Sequence, residues 1–219
     1  MAVRWIMLGC VALAACTPES VDDGVPAVPE RFATLHAAVD AARHYVYVDG
    51  DGPWAQLPGA GVHFGDHGLT IYGDGGPMGG LRLARWGRRD QAVVAAVAPV
   101  ASGPQVRFER RELLEWYHAR PEGLEQGFTV WERPAGDGEV TLTMEVWGLS
   151  TAWSDGHEVW LGDEQGLPQL RMSKLVVVDA RGETVEAWMS AGCDALAECE
   201  VEVVIDDRGA TYPLYVDPL

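Results

Sequence analysis

The segment 139–147, EVTLTMEVW, alternates polar and apolar residues without interruption, and this alternation restricts the fold more than any other feature of the chain. Successive side chains of an extended strand point to opposite faces, so a period of two places one set on each side. The segment is therefore predicted to be a β-strand whose buried face carries Val140, Leu142, Met144 and Val146.

Shorter alternating runs recur along the chain, separated by turn residues. Two of them predict hairpins, one in 174–188 with its turn at Asp179–Gly182 and one in 198–218 with its turn at Asp206–Gly209. The chain also holds 26 glycines and 13 prolines, which suits many short strands. We therefore predict an all-β protein of antiparallel, β-sandwich-like layers with short hairpins. A composition change near Ser102 marks a candidate division of the β-rich region 30–219 into two layers or two sub-domains.

The N-terminus has the pattern of a bacterial export signal. Arg4 precedes an apolar run from Trp5 to Ala15, which is too short for a permanent transmembrane helix. The run ends in LAAC, which resembles the lipobox of bacterial lipoproteins. Residues 1–15 are therefore predicted to be a lipoprotein signal peptide and Cys16 the lipidated residue. An ordinary signal peptide cut near Ala15 is the alternative.

Residues 16–29 are rich in Pro, Asp, Glu and Val and are predicted to form a flexible tether. Thr17, and not aspartate, follows the cysteine, which by resemblance to known sorting signals implies the outer membrane. We expect a lipid-anchored protein of the cell envelope, on the periplasmic face or the cell surface. Beyond the tether, helical spacing predicts one short N-terminal helix with an apolar face of Phe32, Leu35, Ala38, Val39 and Ala42.

Four cysteines fit an exported chain. Cys10 lies in the signal and Cys16 carries the lipid, which leaves Cys193 and Cys199 as an even pair. A disulfide between them is the favoured prediction. A zinc site is the competing one, but no histidine lies nearby in sequence to complete the ligands.

The net charge of −17 argues against nucleic acid as a partner, because DNA binding requires a basic face that releases counterions. The arginines nevertheless cluster locally. They are expected to pair with carboxylates on a solvated face: Arg82, Arg85, Arg88, Arg89, Arg107, Arg110 and Arg111.

Motifs of catalysis and metal binding are missing or incomplete in the sequence. There is no G-x-S-x-G, Walker loop or H-E-x-x-H pattern. His63 and His67 with Asp66 would need a further metal ligand from elsewhere, and the calcium-like start at Asp49 runs into Pro53. We expect no catalytic residues, no metal and no cofactor. The opposing hypothesis is a hydrolase whose cleft gathers distant His and Asp residues.

Nine tryptophans remain to be explained. Most aromatic residues on strands belong to the core, but exposed ones can stack on sugars. Trp116, Tyr117 and Trp131 are the candidates for such a ligand face. Between them, residues 119–127 are predicted to be a strand connector in which Glu125 and Gln126 bind free backbone groups. Leu124 and Phe128 are expected to anchor this connector to the core.

Two segments resemble a known family. EWYHARPEGLEQGFTVWERP (115–134) and IDDRGATYPLYVDPL (205–219) are similar to the N-terminal region of secreted FG-GAP-repeat proteins, the integrin-α-like propellers of myxobacteria and their relatives. The resemblance covers roughly residues 44–219. In that family, propeller blades with calcium loops follow this region. No such loop occurs here, so calcium binding does not carry over, and the family supplies no catalytic residues to transfer.

These features together predict a non-catalytic lipoprotein of the cell envelope that serves as a structural or adhesion-like protein-interaction module. It would stand alone or form part of a longer propeller protein. A carbohydrate-binding surface of exposed Trp and Tyr is the alternative. The expected partners are the membrane, through the lipid anchor, and an envelope protein or polysaccharide.

Overall fold

The computed structural model describes residues 46–57, 59–89, 91–120, 123–196 and 198–217. The signal peptide, Cys16, the tether and the predicted helix lie outside the described residues. Within the described part the chain forms 18 strands and no helix. The strands are β1 (Val46–Asp49), β2 (Gly52–Leu57), β3 (Ala60–Gly65), β4 (Gly68–Gly73), β5 (Gly76–Gly87), β6 (Ala92–Val93), β7 (Val100–Ser102), β8 (Gln105–Glu109), β9 (Leu113–Arg120), β10 (Gly123–Val130), β11 (Val140–Trp147), β12 (Thr151–Ser154), β13 (Val159–Gly162), β14 (Pro168–Met172), β15 (Val176–Val178), β16 (Glu186–Cys193), β17 (Cys199–Asp206) and β18 (Leu214–Asp217).

The strands form three antiparallel sheets. The first has nine strands in the order β1-β2-β3-β4-β5-β11-β17-β16, with β6 paired to β5. The second has six strands in the order β15-β18-β10-β9-β8-β7, and the third is the three-stranded β12-β13-β14. The predicted all-β, antiparallel class is confirmed.

The first and second sheets face each other across one hydrophobic core. Phe64 of the first sheet meets Tyr117 of the second with ring centroids 5.2 Å apart, and Phe108 adds an edge contact to Tyr117. Strand β11 lies in the middle of the first sheet and buries the four alternating apolar residues as predicted. Thr143, on the opposite face of the strand, is buried as well. Its burial is tolerated because its hydroxyl donates a hydrogen bond to Gln91 Oε1 at 2.7 Å.

The turns of the two predicted hairpins are right, but their strands pair mainly with other partners; the first hairpin keeps one antiparallel bridge, Val178 opposite Thr184. Gly182 N–H donates to Asp179 O at 2.9 Å, which closes the first turn. However, β15 belongs to the second sheet and β16 to the first, and the same change of sheet separates β17 from β18. Both turns therefore carry the chain across the sandwich. The two strands on either side of each turn bury their apolar residues in the same core but belong to different sheets. The residues of a turn do not determine which sheet the next strand joins.

The predicted connector 119–127 is also shorter than expected. Strands β9 and β10 stay in register from Leu113 opposite Val130 to Arg120 opposite Gly123, so only residues 121–122 link them. Gly127 is a strand residue and not part of a turn. Glycine is required there because the indole of Trp116 on the neighbouring strand occupies the space that a side chain would need. Such cross-strand cover by an aromatic ring protects a strand glycine.

The polar side chains of this hairpin bind each other and not free backbone. Glu125 accepts from Arg120 Nε at 2.7 Å, and Gln126 Nε2 donates to the Tyr117 hydroxyl at 2.9 Å. Leu124 packs against the core and Phe128 lies within it, as predicted.

Several of the clustered arginines pair with carboxylates. Arg82 binds Glu145 and Arg85 binds Glu200 at the outer surface of the first sheet. Arg88 departs from the prediction, because it is buried against Asp207 and is not on a solvated face. Its partner is 119 residues away, which no local pattern indicates.

Ser102 ends β7, the first strand of the second sheet along the chain. The chain has by then left the first sheet, whose preceding strand is β6. One core cluster contains residues from both sheets, including Leu83 before this point and Val106 after it. Within the described residues there is no long apolar helix of the kind that spans a bilayer.

Candidate functional site

The third sheet has two different faces. Its inner face carries Leu161 and Val159, both fully buried, and Met172. Its outer face is set by the register, which pairs Trp153 with Trp160 across β12 and β13 and Trp160 with Arg171 across β13 and β14. Directly opposed residues of antiparallel strands share one face. Two indoles and one guanidinium therefore form a row across three strands, here called the aromatic face (Trp153, Trp160 and Arg171).

The aromatic face is open to solvent. Trp153 is 57% exposed, and Trp160 is partly exposed. A shallow groove of about 520 Å³ runs beside the two indoles and is lined also by Thr151, Gly162 and Pro168. Large exposed apolar side chains grouped in this way mark interaction surfaces, whereas scattered single ones need no explanation.

Arg171 is held in place on this face. Its Cζ lies 5.2 Å from the centroid of the Trp160 ring, within the range of a cation–π contact. Nη2 of the same guanidinium lies 3.5 Å from Glu158 Oε1. The side chain therefore has two neighbours that fix its position before any ligand arrives.

Two aspartates brace the turns on either side of β13. Asp155 Oδ1 accepts the backbone N–H groups of Glu158 and His157, at 2.8 and 2.9 Å, and these bonds lower its pKa. Asp163 Oδ1 accepts the N–H of Leu167 at 2.9 Å, the largest cause of its own lowered pKa. Side-chain bonds of this kind fix tight turns. The aromatic face is thus carried by two braced hairpins.

The predicted ligand face of Trp116, Tyr117 and Trp131 is not assembled as expected. Tyr117 is 1% exposed and lies in the core, because neighbours on a strand point to opposite faces. Trp116 is partly exposed and Trp131 is 44% exposed. The cross-strand partner of Trp116 is Gly127, four residues before Trp131, so the backbone positions of the two tryptophans are about 13 Å apart along the strand direction.

The Tyr117 hydroxyl instead joins a buried polar chain. It donates to Glu115 Oε1 at 2.7 Å, and Arg110 donates to Glu115 Oε2 at 2.9 Å. Burial raises the pKa of Glu115, although Arg110 and Tyr117 oppose the shift. Burial, followed by the nearby Glu115, also raises the pKa of Tyr117 well above its usual value. Every member has a partner, so the chain of bonds supports the second sheet from within.

A second buried network surrounds Asp207. It accepts from Arg88 Nη2 at 2.9 Å, from Arg133 Nη1 at 2.5 Å and from the Tyr212 hydroxyl at 2.8 Å. Burial alone would raise the pKa of Asp207, but these donors outweigh it and leave the pKa lowered. Arg88 also donates to the Pro134 carbonyl at 3.1 Å. The network joins loops from distant parts of the chain through one buried carboxylate.

Cys193 and Cys199 are opposite partners at the end of β16 and β17 and form a disulfide with an S–S distance of 2.02 Å. His63, weighed above as a metal ligand, hydrogen-bonds the Asp51 carbonyl through Nε2 at 2.9 Å. Asp49 Oδ1 accepts the Asp51 N–H at 2.9 Å, as in a polar turn. Among the described residues, no three His, Cys, Asp or Glu side chains are grouped to hold a metal ion.

Comparison of the chain with protein-family models, with curated proteins and with solved structures finds no match. The arrangement of the described residues is therefore the basis for any functional proposal.

Sequence reasoning missed the aromatic face. Part of the signal was present, because Trp153 and Trp160 lie close to the two ends of the polar segment S-D-G-H-E (154–158), which closes a hairpin. The register of that hairpin determines whether the two indoles share a face.

Proposed function

We propose that this chain is a non-catalytic binding module of the bacterial cell envelope and that the aromatic face binds a partner protein. One observation carries the proposal: Trp153 and Trp160 stand side by side on an exposed sheet surface, with Arg171 next in the row. Tryptophan and arginine are enriched among the residues that dominate binding energy at protein interfaces.

Contacts within the site hold its side chains and turns in place, which favours binding. Arg171 rests on the Trp160 ring, and braced turns hold the strands that carry both indoles. A surface that is already ordered loses little conformational entropy when a partner docks. Each tryptophan offers a large contact area for few rotatable bonds.

The envelope location rests on the N-terminal sequence. The apolar run and LAAC support a lipid anchor at Cys16, and a disulfide at Cys193 and Cys199 suits an oxidising compartment. The anchor would hold the module on the outer membrane. The resemblance to the N-terminal region of FG-GAP-repeat proteins is part of the proposal and suggests a surface protein of that kind as the partner.

A polysaccharide is the second candidate ligand. The groove of about 520 Å³ beside Trp153 and Trp160 favours it, because a sugar ring can stack on an indole while its edge enters a shallow groove. Both candidates use the same residues, so they are distinguished by what is captured.

The test is photo-crosslinking in living cells. A photoreactive amino acid replaces Leu167, which is 59% exposed beside the groove, or Leu196, which is 80% exposed in the disulfide loop. We expect one envelope protein to be captured from position 167, not from 196, and to be lost with Trp153→Ala. Equal capture from both positions, or capture that survives Trp153→Ala, would contradict the proposal. Binding of purified envelope polysaccharide that depends on Trp153, without protein capture, would establish the second candidate.

A further inference from the structure

A cleft of about 1140 Å³ lies where the three sheets meet, and Arg171, at one end of the aromatic face, is among the residues that line it. All three sheets contribute to its walls: β2 to β5 of the first, β9 and β10 of the second, and β14 of the third. Ligand pockets in proteins typically have volumes of about 300–1,000 Å³, so this cleft has room for a small molecule.

The walls of the cleft are mainly apolar. Branched aliphatic residues from all three sheets line it and include Leu57, Val62, Ile71, Leu81, Leu124 and Leu170. At its inner side lie Gln126 and Tyr117, the end of the buried polar chain that leads to Glu115. Walls that are mainly aliphatic match a ligand that is mostly hydrocarbon, and the polar residues of the lining leave room for one polar end.

Three cations border the cleft: Arg120, Arg171 and Lys174. Arg120 is paired with Glu125 and Arg171 with Glu158. Lys174 is exposed, and no carboxylate of the described residues pairs with it. In a chain with a net charge of −17 this is an unbalanced positive charge beside an apolar cavity.

Lys174 also has an unusual backbone. Its φ is +59°, and it is the one residue other than glycine with positive φ in the described part of the chain. It stands on the short link from β14 of the third sheet to β15 of the second. A lysine here is less favourable for the backbone than glycine, which has no Cβ. Strained positions of this kind concentrate at functional sites.

We propose that the cleft binds a free long-chain fatty acid, with its hydrocarbon tail against the aliphatic walls and its carboxylate at Lys174. The length and branching of the wall residues suit a flexible chain. The lone unpaired cation selects an anionic head over a neutral one. The cleft shares Arg171 with the partner surface proposed above but neither tryptophan, so variants of Trp153 and Lys174 test the two proposals independently.

The test is displacement of the fluorescent fatty acid 11-(dansylamino)undecanoic acid from the purified chain. The decrease in probe fluorescence reports the displacement, and all ligands are kept below their micelle concentrations. We expect octanoate, decanoate and dodecanoate to displace the probe with increasing strength, by up to about fourfold per methylene. Decanol, which has no charge, should bind more weakly than decanoate. Failure to bind the probe, or binding that is independent of chain length, overturns the proposal.

Matched variants locate the site. Lys174→Glu should weaken decanoate roughly three- to tenfold and leave decanol unchanged. Arg111→Glu, the same charge reversal at an exposed arginine in the turn before β9, should change neither. Leu124→Gln in the cleft should weaken both ligands, and Leu196→Gln at an exposed leucine should weaken neither. Equal effects within either pair would overturn the proposal.

One more variant separates binding from folding. Lys174→Gly relieves the positive φ and removes the cation, so we expect a higher melting temperature together with weaker decanoate binding. Unchanged binding of decanoate in this stably folded variant would overturn the role of Lys174.

Discussion

Trp153 lies directly opposite Trp160 across the β12–β13 ladder, on the face of the third sheet that points away from the core. On β13 the inner face, Val159 and Leu161, is fully buried, so packing in the core accounts for that side of the sheet but not for the two indoles on the other. Exposure of two neighbouring indoles is unfavourable in water unless a partner covers them. The functional proposal rests on this contrast between the two faces.

Replacement of Trp153 should affect binding and not stability. Because the side chain is largely exposed, Trp153→Ala should change the free energy of unfolding by about 0.5 kcal/mol or less. Loss of a central interface tryptophan should weaken partner binding by about 2 kcal/mol or more, which is at least roughly thirtyfold. Trp131→Ala is the control, at an exposed tryptophan that directly follows β10 of the second sheet. Thermal melts and binding titrations measure the two effects, and equal weakening by both variants would count against the aromatic face.

Asp207 and Asp206 are neighbours in sequence with very different roles. Asp207→Ala removes the acceptor of two arginines and a tyrosine and leaves buried Arg88 unpaired, so we expect a loss of about 3–5 kcal/mol in unfolding free energy. Asp206 pairs with Arg208, an exposed side chain, and Asp206→Ala should cost much less. Urea unfolding measures the difference. Similar losses for the two variants would show that the Asp207 network does not hold the loops together.

Strand glycines covered by tryptophan should resist substitution. A Cβ at Gly127 would overlap the Trp116 indole, and a Cβ at Gly80 would overlap both Trp147 and the Leu69 carbonyl. We expect Gly127→Ala to cost roughly 1–3 kcal/mol and Gly80→Ala more, because a backbone carbonyl yields less readily than a side chain.

Gly192→Ala is the matched control for these two changes, since β16 leaves open space at that position. Its unfolding free energy should stay within about 0.5 kcal/mol of the parent. If all three alanine variants unfold at the same denaturant concentration, the indoles do not occupy the space assigned to them.

Asp179 makes stability depend on pH in the acid range. Backbone N–H groups, first that of Thr211, lower the pKa of its carboxyl group from 3.8 to about 2. The unfolded chain therefore binds the proton more tightly than the folded chain, so stability from this group is present above pH 3.8 and is lost as pH falls towards 2. Asp179→Asn should be less stable than the parent at pH 7.

The difference in stability between the parent and Asp179→Asn should shrink as pH falls from about 4 to 2. Protonation removes the negative charge of Asp179, so its side chain becomes neutral like that of asparagine. Melting temperatures of both proteins across this range provide the measurement. A gap that is constant with pH would mean that the charge of Asp179 does not contribute to folding.

The sequence predicted the features that depend on residues close to each other along the chain. The burial of Val140 and Leu142 follows from a period of two, and the turn at Asp179–Gly182 follows from its residue types. The alternation does not say which sheet a strand joins, so the partners of β15 and β17 were wrong. The burial of Arg88 was missed for a similar reason, because it depends on the distant Asp207.

The candidate site was predictable only in its chemistry. Exposed tryptophan was the right kind of residue, but Tyr117 was assigned to the same face as its neighbour Trp116, which the geometry of a strand forbids. The pairing of Trp153 with Trp160 needs a hairpin register, and the apolar cleft needs three sheets that the sequence does not arrange in space.

The central claim is that a partner covers the aromatic face in the cell envelope. Hydroxyl-radical footprinting measures this directly, because each tryptophan is oxidised according to its exposure. We expect Trp153 and Trp160 to be oxidised readily in the purified chain and protected in isolated envelopes, while Trp131 is oxidised equally in both. Equal oxidation of Trp153 in purified chain and envelopes would contradict the claim.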